Sequence, residues 1–192
     1  RLMRLALLAM FLFCLATPAS AEDWDGVVKF LKPVAPDAPV HVLCKEEQAC
    51  GLINSAGELV LDQVYRRLIV SPPIPGGARQ VIAERVAGRT GLIDLTGKWL
   101  LRPKYESASF LYNDRIAVRK DGAWGYVSGD DRMIVKPIYE IATDFIAPVT
   151  TVYVNGKWGL IDTDGRVVAE PKYSVIKGLA DGIAIFAADQ GY

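Results

Sequence analysis

"KWGLIDTDGRVVAEPKY", Lys157 to Tyr173, holds a Trp-Gly pair, an Asp-Thr-Asp-Gly turn and a Pro-x-Tyr within seventeen residues, and it decides the fold because the chain repeats it. Glycines that precede Leu-Ile or Tyr-Val stand at Gly51, Gly91, Gly125 and Gly159, separated by 40, 34 and 34 residues. Fourteen residues after each comes a tyrosine: Tyr65, Tyr105, Tyr139 and Tyr173. Twelve residues after, three copies have Pro103, Pro137 and Pro171, and the first has Gln63. A fixed period of this length marks a tandem repeat, each unit being one supersecondary element that cannot bury its own apolar face. "SPPIPGG", Ser71 to Gly77, is read as the loop insertion that lengthens the first interval.

Helical repeats share this period, so local grammar has to choose the fold. Asn155-Gly156 and Asp121-Gly122 are two-residue type I′ hairpin signals between strand-like stretches such as "TTVYV" and "RIAVRK". Asn54 to Gly57, Asp94 to Gly97 and Asp162 to Gly165 begin with an Asx acceptor and end in a glycine free to take positive φ, which suits a type I turn with a bulge. Each unit therefore reads as a three-stranded meander. In the fourth copy the strands are Thr151 to Val154, Lys157 to Asp162 and Arg166 to Glu170, with Pro171 ending the third because it has no N–H for the ladder. The expected fold is all-β: tandem three-stranded meanders of about 34 residues, solenoid-like or propeller-like, with neighbouring units stacked. The array spans 40–192 as four full units and a truncated fifth that opens at "GIAIFAADQGY".

The N-terminus sets the compartment. Arg1 and Arg4 flank an apolar run from Leu5 to Ala16, and Ala19-Ser20-Ala21 supplies a small-residue cleavage site. This is the order of a secretory signal peptide, 1–21, and the run falls short of the roughly 20 residues that span a bilayer. Cys14 offers a lipoprotein alternative, but Phe13 precedes it where that processing wants a small residue. Residues 22–39 form a lead-in, in which "DWDGVVKFLK" could form a short helix capped by Asp23 or Asp25. Cleavage after Ala21 takes the 22 basic residues to 20 against 22 acidic ones, a net charge of −2. So even a balance has no electrostatic footprint for nucleic acid or anionic lipid.

These residues resemble the WG-repeat family, whose units carry Trp-Gly, an aliphatic pair, a turn with glycine, an apolar strand and Pro-x-Tyr. The likeness runs from about Val40 to Tyr192 and is fullest in "AWGYVSGDDRMIVKPIY" and "KWGLIDTDGRVVAEPKY", where Trp124-Gly125 and Trp158-Gly159 supply the signature. Cys50 and Thr90 hold the Trp position in copies one and two, which look degenerate or capping. The resemblance implies a β-repeat with a binding or scaffold role, and brings no catalytic residue set.

Cys44 and Cys50 are the cysteines left after cleavage, and an exported chain with an even count favours a disulfide between them. An odd-numbered loop would set the two face to face; a two-residue turn would offset them. Free thiols are the alternative, and two cysteines are too few for a zinc site, which wants four ligands. His41 lies an odd number of strand residues from Cys44, on the opposite face, so the two do not make a catalytic pair. The acidic turns at Asp130-Asp131 and Asp162 to Asp164 read as backbone acceptors before they read as calcium ligands. Tyr105, Tyr139, Tyr173, Trp124 and Trp158 recur in rows and are the candidate ligand-binding residues, with core packing as their competing role. With no Ser/His/Asp set, metal cluster or phosphate loop, no catalysis, cofactor or metal is expected. The expected protein is a monomeric periplasmic or secreted module that binds a protein or peptide. The alternatives are a cell-envelope glycan held by the aromatics, or a scaffold for a catalytic domain beyond Tyr192.

Overall fold

The computed structural model describes residues 34–45, 50–74, 77–85, 88–180 and 183–188, with backbone alone for 177–180 and 183–188. The signal segment, Cys14 and the lead-in helix lie outside the described residues. What is described is all-β and antiparallel. β1 (Val40–Cys44), β2 (Cys50–Asn54) and β3 (Leu59–Tyr65) form the first sheet. The second is β4 (Arg67–Val70), β5 (Gln80–Glu84), β6 (Thr90–Asp94) and β7 (Trp99–Tyr105). The third is β8 (Ser107–Ala108), β9 (Arg115–Lys120), β10 (Ala123–Ser128) and β11 (Met133–Tyr139). β12 (Ile141–Ala142), β13 (Val149–Val154), β14 (Lys157–Asp162), β15 (Val167–Ala180) and β16 (Ile183–Ala188) form the fourth.

The unit is thus larger than a three-stranded meander. One residue past Tyr65, Tyr105 and Tyr139 the chain enters a short strand, β4, β8 or β12, that opens the next sheet. β15 makes that transition without a break. Val175 faces Ala187 at the same separation as Ser107 from Arg119 and Ile141 from Tyr153, so β15 and β16 supply the opening hairpin of a fifth unit. "SPPIPGG" absorbs less of the extra length than expected. β4 and β5 pair over four positions, where β8 and β9 pair over two, so most of the added residues lengthen a hairpin rather than its loop.

The turns follow their residue chemistry. Asp121-Gly122 and Asn155-Gly156 all have positive φ (52°, 80°, 53° and 77°), as a type I′ turn requires. Asp162 Oδ1 accepts from the N–H groups of Asp164 (2.9 Å) and Arg166 (2.8 Å) while Gly165 N donates to Asp162 O (2.9 Å), and Asn54 and Asp94 repeat the pattern. In the third copy Ser128 is the acceptor and Asp131, at φ 64°, takes the place of the glycine.

Proline does not end the third strand: β7, β11 and β15 run through Pro103, Pro137 and Pro171. The reason lies opposite, at the anchor glycine. Pairing jumps from Trp158↔Tyr173 to Leu160↔Ala169, so Gly159 faces a bulge of Glu170, Pro171 and Lys172. The missing proline N–H falls in this interruption of the ladder, one of the places where a strand tolerates it. The bulge also presses on the glycine. A Cβ on Gly159 would stand 2.8 Å from Ala169 O and 3.0 Å from Pro171 N, and one on Gly125 would stand 2.7 Å from Pro137 N. Glycine and Pro-x-Tyr are therefore two halves of one device.

Packing occurs between consecutive sheets, and the pleat distributes it. On β5, Val81 and Ala83 enter the core shared with the first sheet, while Ile82 between them enters the core shared with the third. On β9, Ile116 and Val118 turn back to the second sheet and Ala117 forward to the fourth. Alternate residues point to opposite faces, so a strand buried on both faces reads as a continuous apolar run. Polar links reinforce the stack: Gln80 clamps the backbone of Leu111 (Leu111 N to Oε1 2.7 Å, Nε2 to Leu111 O 3.1 Å), and Asn113 Nδ2 donates to Phe145 O at 2.7 Å.

Cys44 and Cys50 are directly opposed across β1 and β2 and joined by a disulfide. So short a closed loop stabilises by about 2 kcal/mol in the chain-entropy picture, all of it at the first hairpin. Thiol titration of the denatured, unreduced chain should find one reactive group at most, that of Cys14; reactive Cys44 and Cys50 would contradict the bridge.

Candidate functional site

The residue before each anchor glycine faces the tyrosine that closes its repeat across the ladder: Cys50↔Tyr65, Thr90↔Tyr105, Trp124↔Tyr139 and Trp158↔Tyr173. The two ends of the repeat signature are therefore one cross-strand pair, and such pairs lie on one face of the sheet. In the first three copies this face turns into a core. Tyr105 and Tyr139 are only 4% and 6% exposed, and Trp124 packs half-buried against the third core. Tyr105 Oη also reaches Asp131 Oδ1 at 3.3 Å in the next sheet.

Burial raises the phenol pKa of Tyr65, Tyr105, Tyr126 and Tyr139, desolvation being the largest cause in each. A raised folded value means that this stabilisation is whole below about pH 10, where the unfolded phenol ionises, and is lost as pH climbs through the folded values. Denaturant midpoints measured from pH 8 to 12 should hold to about 10 and then fall. A Tyr126→Phe variant should show a shallower decline.

The fourth sheet differs. Ile141↔Tyr153, Tyr153↔Trp158 and Trp158↔Tyr173 are successive direct pairs, so four large side chains form a row across β12, β13, β14 and β15. The Tyr153 and Trp158 ring centroids are 4.9 Å apart; Ile141 is 43% exposed, and Tyr153, Trp158 and Tyr173 are half-buried. The corresponding row of the second sheet is Arg67, Glu84, Thr90, Tyr105, and that of the third is Ser107, Arg119, Trp124, Tyr139. Their outer halves line a charged groove of about 440 Å³ in which Glu84 binds Arg66 (3.2 Å) and Arg67 (3.1 Å), and Glu106 lies 3.9 Å from Arg119. Each of those charges has a partner of opposite sign within the groove, whereas the row of the fourth sheet is apolar and aromatic throughout.

Of the residues singled out in the sequence, Trp158 and Tyr173 come together in this row, Trp124 stands in the third sheet, and Tyr105 and Tyr139 are packing residues. Tyr153 and Ile141 were missed. For Tyr153 a signal existed, because the two-residue turn Asn155-Gly156 places it opposite Trp158. The turn carboxylates Asp94 and Asp162 accept backbone N–H groups.

Stacked antiparallel sheets with one recurring Gly/Pro-x-Tyr device define a tandem β-repeat protein. The family model of the WG containing repeat matches residues 91–122, 124–158 and 158–192, and the chain belongs to the WG-repeat family. Among solved structures it is similar to the computationally designed Ika4 protein, at 15% identity and a TM-score of 0.37 over 59% of this chain and 81% of that one. No curated protein matches.

Proposed function

We propose that the chain is a non-enzymatic module of the periplasm or cell surface that binds a protein or peptide partner along the aromatic row of the fourth sheet. The row itself carries this reading. Tyrosine and tryptophan are enriched at interface cores, where they give large contact area for little lost side-chain freedom. Strands about 4.8 Å apart make the row roughly 14 Å long, the reach of about four residues of extended peptide. Export is supported by the N-terminal order of basic, apolar and small residues, and by a disulfide, which persists in oxidising compartments.

The test is capture from envelope extracts on the immobilised chain, with Tyr153→Ala and Trp158→Ala as variants whose folding is verified by circular dichroism. A specific protein should be recovered, and each variant should weaken its binding at least about tenfold, as truncation of an interface anchor does. Recovery of no protein beside saturable binding to cell-wall polymer would replace this reading with glycan recognition by the same rings.

A further inference from the structure

The loop between β12 and β13 departs from the repeat at one position. Asp144 stands 34 residues after Phe110, and in the third sheet Phe110 packs against the second core. A carboxylate where a neighbouring unit places a phenylalanine has a desolvation cost, which a cation ordinarily offsets. Asp144 is half-buried and has no ion-pair partner among the described residues. Burial raises its carboxyl above the usual range, opposed by the Ser109 hydroxyl beside it.

Asp144 helps to line an open cleft of about 510 Å³ whose other walls are Ala142, Thr143, Ile146, Ala147 and Val149. Ile146, 78% exposed, is the most exposed large apolar side chain among the described residues. The loop beneath is held in place: Thr143 O accepts from Tyr126 Oη (2.8 Å), and the single hydrogen of the Thr150 hydroxyl is shared between Thr143 O (2.9 Å) and Asp144 O (3.0 Å). Phe145 is buried behind it, edge-on to Tyr126 at 4.9 Å. A site held in one shape before binding loses less freedom when it binds.

We propose that this cleft binds an alkylammonium group, as presented by a lysine side chain or a free amine: the cation pairs with Asp144 and the methylene stem lies against Ala147, Val149 and Ile146. The pairing supplies the positive charge that the carboxylate lacks, and the apolar walls suit the stem of such a side chain. The inference is independent of the aromatic row.

Titration of the full chain with n-butylammonium chloride, and separately with a Gly-Lys-Gly peptide blocked at both ends, should give saturable amide chemical-shift changes confined to residues 142–150. Binding of both probes points to the ammonium head alone; binding of the peptide only assigns the lysine side chain as the source. Asp144→Asn keeps the shape and removes the charge, and should weaken binding at least about tenfold. Ala147→Leu narrows the cleft on the side where the stem lies, with the carboxylate in place, and should weaken binding. An absent shift in the unmodified chain, an unchanged response in Asp144→Asn, or an equal response to n-butanol would overturn the proposal.

Discussion

Gly125→Ala is expected to destabilise the chain by about 3 kcal/mol, a fall of roughly 10 °C in the thermal midpoint for a chain of this size. The added Cβ would stand 2.7 Å from Pro137 N and 2.8 Å from Lys136 C, with Val135 O closer still, and these are backbone atoms of a bulge with little freedom to recede. The control is Gly122→Ala three residues earlier. Its Cβ meets no atom within 4 Å, so only the positive φ of 80° is strained, at about 1 kcal/mol. Comparable losses in the two variants would mean that backbone conformation, and not the bulge pressing on the glycine, is why the Trp-Gly position needs glycine.

Tyr126→Ala is expected to cost about 4 kcal/mol, the range for removing a large buried aromatic. Tyr126 is fully buried in the core between the third and fourth sheets, packs against Phe145 and donates its hydroxyl to Thr143 O. Tyr126→Phe should cost only about 1 kcal/mol, because Thr143 O keeps the hydrogen bond from Thr150. Chemical denaturation of both variants separates the packing of the ring from the bond of the hydroxyl.

The repeat and its turns were legible because they rest on residues with few conformational options. Asn-Gly and Asp-Gly impose a type I′ hairpin, and Asx-x-x-Gly imposes a bulged turn. The stacking was legible too, because a three-stranded unit cannot bury its own apolar face; the structure adds that stretches such as Val81-Ile82-Ala83 are covered on both faces. The short opening strands were not. Ser107-Ala108 is too brief to show alternation, and it pairs only because Tyr105 has delivered the chain to the edge of the next sheet. The proline rule misled for an equally local reason, since its exception for bulges depends on a glycine that lies twelve residues away in sequence. In the fourth sheet, Trp158 and Tyr173 could be read as candidates from their period. Their continuity with Tyr153 and Ile141 needed the register of four strands. Asp144 lies 34 residues after Phe110, so the exchange was open to the same period, but its burial and its cleft needed the structure.

The central claim is that each core lies between consecutive repeat sheets, so that residues of adjacent units stabilise one another. A double-mutant cycle on Tyr126 and Phe145 tests it most directly, because Tyr126 lies on β10 of the third sheet and Phe145 on the β12–β13 loop of the fourth. With Tyr126→Leu, the residue type at this position in the other three copies, and Phe145→Leu, the account predicts a coupling of about 1 kcal/mol in the unfolding free energy. Additivity of the two substitutions to within about 0.3 kcal/mol would contradict it.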